Sequence, residues 1–150
     1  MDWIIVFVCS YLAAFFFGLS TNAPKKTQYI AALVGAVGYS IYKLIEPFGV
    51  HMSALVSTFV CCVVAEILAR YLKTSTTGMI IIALIPLVPG VMLYKTMLSF
   101  GEGKTLEGVE SLSNTLIYAG MMAIGVTLAT LLGRFVIGPL YNSVKKRKQS

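Results

Sequence analysis

Charged side chains are scarce in this chain, at 12% of 150 residues, and no polar stretch is long enough to fold as a separate soluble unit. With 57% hydrophobic residues and a mean hydropathy of +0.83, a soluble globular domain is excluded and an integral membrane protein is expected. Histidine occurs once, as His51, and the three cysteines, Cys9, Cys61 and Cys62, lie inside apolar runs. With no Cys/His cluster around them, neither a metal site nor a disulfide framework nor a bound cofactor is indicated. The sequence offers no Ser/His/Asp set, no pair of acids spaced for glycoside chemistry and no glycine-rich phosphate loop, so no enzyme is expected. The net charge of +6 comes from lysines and arginines beside apolar runs rather than on an aromatic-studded surface. That pattern orients a protein in a lipid bilayer and does not indicate nucleic acid as a partner.

What the chain has in quantity is apolar sequence, in five runs at 3–20, 27–45, 52–72, 78–100 and 114–137. Each approaches the ~20 residues that cross the hydrocarbon core as a helix. A single all-α membrane domain over 1–150 with five transmembrane helices is therefore expected. The first run follows Asp2 instead of a basic segment and is too long for a signal-peptide core, so it reads as a retained helix. The longest connection, Gly101 to Ser113, carries Leu106, Val109 and Leu112 at three-residue spacing around Gly108. A short interfacial amphipathic turn and a plain loop both fit it. Lys25, Lys26, Arg70, Lys73, Arg134 and the tail cluster Lys145, Lys146, Arg147 and Lys148 fall on one face, against Lys43, Lys95 and Lys104 on the other. Basic residues stay in the cytoplasm, so a cytoplasmic C-terminus and an outer N-terminus in the cell membrane are expected.

The fourth run is interrupted near its centre by Pro86, Pro89 and Gly90. Each proline removes a backbone N–H and crowds the carbonyl four residues back, and Gly90 is suited to a distorted backbone. Carbonyls freed in hydrocarbon must face other helices, a polar side chain or a water-lined cavity. Such a broken helix is either a packing kink or part of a transport site. Tyr94 and Lys95 lie just beyond the break, where the ammonium either snorkels outward or meets an anionic substrate. Ser57, Thr58 and Asn114 are further polar groups near membrane depth and complete the candidate substrate path.

Glu66 is the only carboxylate well inside a run, and Arg70 follows one turn later on the same helical face. The spacing suits an i,i+4 ion pair with Arg70 snorkelling to the interface. The competing reading makes Glu66 and Arg70 the proton-coupling groups of a transporter. Small residues recur every four positions at Ser10, Ala14 and Gly18, at Ala32, Ala36 and Ser40, at Ser57, Cys61 and Ala65, and at Gly125, Ala129 and Gly133. Such stripes let helices approach closely in lipid, within one chain or against a partner.

The run Ile85-Pro86-Leu87-Val88-Pro89-Gly90 with Leu93-Tyr94, preceded by Ala65-Glu66-Ile67-Leu68-Ala69-Arg70, resembles the small five-span subunit of the split threonine/serine exporters. The resemblance implies export of threonine and serine, or of a dicarboxylate such as succinate, driven by the proton motive force. It also implies a second, larger membrane subunit as partner. The resemblance implies a neutral residue where Lys95 follows the motif, so this lysine departs from the expected pattern. The alternative function is a structural or assembly subunit that stabilises a partner without lining the substrate path.

Overall fold

A computed structural model describes the backbone of residues 2–137 and the side chains of residues 3–135. These residues form an all-α membrane protein, with helices α1 (Asp2–Ser20), α2 (Lys25–Ile45), α3 (Val50–Leu72), α4 (Thr76–Leu84), α5 (Gly90–Gly101) and α6 (Thr105–Leu132). Four of the helical segments are each long and apolar enough to cross a membrane. The fifth candidate is α4 with α5, one span broken at Pro86 to Pro89 and bent there by 54°. The basic tail, Gly138 and Pro139 lie outside the described residues.

Helices α2 and α3 form the middle of the bundle: α2 packs against α1, α3 and α4, and α3 also against α4 and α6. Close approach is what small residues provide. A Cβ on Gly35 would stand 2.7 Å from the carbonyl oxygen of Ala83, and one on Gly125 would stand 2.9 Å from that of Leu55. Both crossings are therefore backbone against backbone, the packing lipid-embedded helices use in place of a hydrophobic drive. All four small-residue stripes face inward, with Ser40 alone half-buried. None is left free for a partner, which corrects the view that a stripe offers a docking face.

The interval Gly101 to Ser113 is not a long connection. Only Glu102, Gly103 and Lys104 link α5 to α6, and α6 then runs without a break for 28 residues, about 42 Å. Gly108 is the reason the loop and interfacial-turn readings fail. It is a notch under the Phe100 ring, which a Cβ would meet at 2.9 Å, and Thr96 and Ser111 join the same two helices by a 2.9 Å hydroxyl pair. The start of α6 is thus held by α5, and Leu106, Val109 and Leu112 lie on its exposed face.

Thr21 to Pro24, between α1 and α2, lines one cavity with Lys73 to Ser75, between α3 and α4. Arg70 reaches the carbonyl of Gly133 beyond the end of α6. The positions of Lys25, Lys26, Arg70, Lys73 and Arg134 along these elements thus fall at one end of the bundle.

Candidate functional site

At the break, Ile85–Leu87 closes a 3-10 turn, Val88 is extended, and Pro89 turns the chain with φ −75° and ψ 51°. Those angles are near an inverse γ-turn, and the Gly90 N–H donates to the Val88 carbonyl at 2.8 Å. Gly90 itself has no positive φ, and a Cβ there would meet nothing within 4 Å. Val88 and Pro89 carry the distortion, which corrects the role given to Gly90. The first i,i+4 bond of α5 runs from the Leu93 N–H to the Pro89 carbonyl, so the helix supplies no acceptor for the amides of Val91 and Met92.

Val91 and Met92 line an open cleft of about 170 Å³ together with Pro86, Pro89 and Gly90 and with Tyr39, Tyr42 and Tyr118. Tyr118, 4% exposed, donates its hydroxyl to the Leu87 carbonyl at 3.1 Å. That bond satisfies a carbonyl freed by the break, as an apolar surrounding requires. Tyr42, 7% exposed, meets the Tyr118 ring edge to face at 6.1 Å and stacks on Tyr39 at 5.7 Å. The cleft has a rigid aromatic wall facing the positive end of the α5 dipole.

A second polar cluster joins α3 to the end of α6. Arg70 Nη2 donates to Glu66 Oε1 at 2.8 Å and to the Gly133 carbonyl at 2.8 Å, where α6 passes into a π-helix over Gly133–Ile137. The i,i+4 pair is formed, but Arg70 bridges to α6 instead of only snorkelling outward. Glu66 is 5% exposed, and neither its Oε2 nor Arg70 Nε has a partner among the described residues. A Cβ on Gly133 would overlap the Glu66 carboxylate, so this glycine makes the space the acid occupies.

The family described as Threonine/Serine exporter, ThrE, matches residues 6–132, which contain the break, the tyrosine wall and Glu66 with Arg70. The chain belongs to the threonine/serine exporter family. Members of this family are membrane transporters, and this one is a multi-pass membrane protein. No solved structure matches it.

Not every residue predicted from the sequence of this exporter-family chain comes to the break. Tyr94 points away, 66% exposed. Lys95 and Asn114 line a separate cleft between α5 and α6 with Glu107 and Glu110, and Met92 borders both clefts. Ser57 and Thr58 are fully buried inside the bundle. Ser57 donates to the carbonyl of Ser53 at 2.5 Å, and Thr58 packs beside Gly125. Tyr39, Tyr42 and Tyr118 were missed by sequence reasoning, although two signals were present. A tyrosine deep in an apolar span needs a partner for its hydroxyl, and tyrosines three apart share a helical face. Tyr118→Phe leaves the Leu87 carbonyl unpaired, with an expected stability loss of about 1–2 kcal/mol. The loss is read as a lower unfolding midpoint in detergent, and an unchanged midpoint would mean that the bond contributes nothing.

Proposed function

We propose that this chain forms one half of a secondary exporter for threonine and serine, with the break in the α4–α5 span on the substrate path. The observation that carries the reading is the cleft at the break. There the unpaired amides of Val91 and Met92 begin a helix that faces a tyrosine-walled space. Half-helix N-termini at membrane depth receive anionic substrate groups in secondary transporters, so the α-carboxylate of an amino acid is the group placed there. A dicarboxylate such as succinate shares that chemistry and is the runner-up substrate.

In this reading, proton movement down its gradient drives export through Glu66, whose buried carboxylate has one oxygen on Arg70 and one without a partner among the described residues. The basic end is cytoplasmic and the N-terminus is outside. A second, larger membrane subunit supplies the other half of the path, because transporter sites of this kind lie between two related units. The test is efflux of threonine and serine from peptide-loaded cells with and without this chain. Export that depends on the chain supports the reading. Export that continues unchanged without the chain overturns the reading, and export restored by a variant with the cleft filled assigns the chain to assembly of its partner instead.

A further inference from the structure

A cavity of about 440 Å³ lies at the basic end, far along α4 from the break, between the α1–α2 and α3–α4 connections. Two helix N-termini meet there. Pro24 and Thr27 bring the start of α2, and Ser75 and Gly78 bring the first turn of α4, a helix of nine residues. In α4 the Ser75 hydroxyl accepts from the Gly78 N–H only at 3.5 Å, the limit of a hydrogen bond. The amides of Thr76 and Thr77 have no acceptor within the helix.

Side chains on the cavity point to a ligand independently of the helix ends. Thr27 is 3% exposed, and its hydroxyl has no partner among the described residues; the Thr74 hydroxyl is buried and unpartnered as well. Buried hydroxyls are ordinarily satisfied, so two without a partner on one cavity are places for a ligand's polar atom. Lys73 lines the same space, and no described carboxylate does. The frame is also fixed. Gln28 donates from Nε2 to the carbonyls of Gly18 and Ala23 at 3.2 and 2.7 Å, holding the first connection. Lys73, at φ 53°, and Thr74 donate their amides back to Arg70 and Ala69 at 3.3 and 3.0 Å, holding the third.

We propose that this cavity binds a small oxyanion, a carboxylate or a phosphate, through Thr27, Thr74, Lys73 and the first-turn amides of α4. Lys73 brings positive charge that no lining carboxylate balances, and the first-turn amides of α4 are donors only, so the cavity suits an oxyanion better than a cation. Two sources carry that chemistry at a membrane surface, a free anion and a lipid headgroup. A free carboxylate makes the cavity a loading site ahead of the cleft at the break. That role rests on the transport reading above, whereas the binding itself does not.

The full chain, purified in maltoside micelles, which contain no phosphate, is labelled with 15N-threonine and titrated with acetate and then with inorganic phosphate. Saturable shifts of the Thr27, Thr74, Thr76 and Thr77 amides are expected. Thr27→Val and Lys73→Gln are each expected to weaken the apparent affinity about tenfold, with the remaining threonine signals in place. Lys73 is exposed, so its replacement reports on the site even if the valine variant fails to fold. Shifts that appear only on adding phosphatidylglycerol assign the oxyanion to lipid. No saturable shift with any of the three probes, or shifts that survive both substitutions, overturns the proposal. Gly90→Leu, at the break, should leave these shifts intact, so a failure of the transport reading is distinguishable from a failure of this one.

Discussion

Gly90→Leu is expected to abolish threonine and serine export while leaving the protein folded and in the membrane. Most bulky substitutions for glycine in a helical bundle are ambiguous, because they also push helices apart. Gly90 is different, since a Cβ there meets nothing within 4 Å and its φ is not in the left-handed region. Gly90 borders the cleft shared with Tyr39, Tyr42 and Tyr118, and the larger side chain is expected to fill part of it, with open space at its Cβ. Gly90→Ala, which adds one methyl group, should retain most of the export. The measurement is efflux normalised to the amount of folded protein in the membrane, with the unfolding midpoint as control. An active Gly90→Leu protein would remove the break from the substrate path. Replacing Pro86 and Pro89 together by alanine tests the same span from the other side, because it permits a straighter helix through the 54° bend.

Gly133→Ala is expected to open the ion-paired clasp between α3 and the end of α6. The new Cβ falls on the Glu66 carboxylate, so the acid must leave its place and the bridge from Arg70 to the Gly133 carbonyl opens. The Arg70 side chain is 26% exposed and both charges remain, so a loss of about 1–3 kcal/mol in the unfolding free energy is the expected reading. Shortening the acid in the same protein, as Gly133→Ala with Glu66→Ala, makes room again and should recover part of the loss. A Gly133→Ala protein of unchanged stability would show that the clasp is not what joins α3 to α6. The coupling role of Glu66 is tested separately. Glu66→Gln should stop export, and if combining it with Arg70→Gln restores export, the carboxylate serves only the arginine.

Much of the fold was legible because lipid leaves the chain few options. Apolar runs of spanning length must be helices, and a Pro-x-x-Pro-Gly interruption must break one of them, as Ile85 to Gly90 does. The length of α6 was hidden because Gly101, Gly103 and Gly108 read as loop composition, although Gly108 is a seat for Phe100. Which side chains gather at the break was hidden for another reason. Periodicity places Tyr39 and Tyr42 on one face of α2 but does not say that Tyr118, from a distant helix, meets them. The pairing of Glu66 with Arg70 follows from spacing within one helix. Its third member, Gly133, is 63 residues from Arg70, and only the fold brings it there.

The most direct test of a substrate path through the break is protection of a single cysteine from labelling. Val88 lines the cleft and is 51% exposed, so Val88→Cys is placed in a background with Cys9, Cys61 and Cys62 replaced. The rate of maleimide labelling is then measured in membranes containing the exporter, with and without threonine or serine. The expected result is slower labelling with either amino acid and unchanged labelling with an amino acid that is not exported. Labelling at the same rate under all three conditions, in protein that still exports, would contradict the assignment of the break to the substrate path.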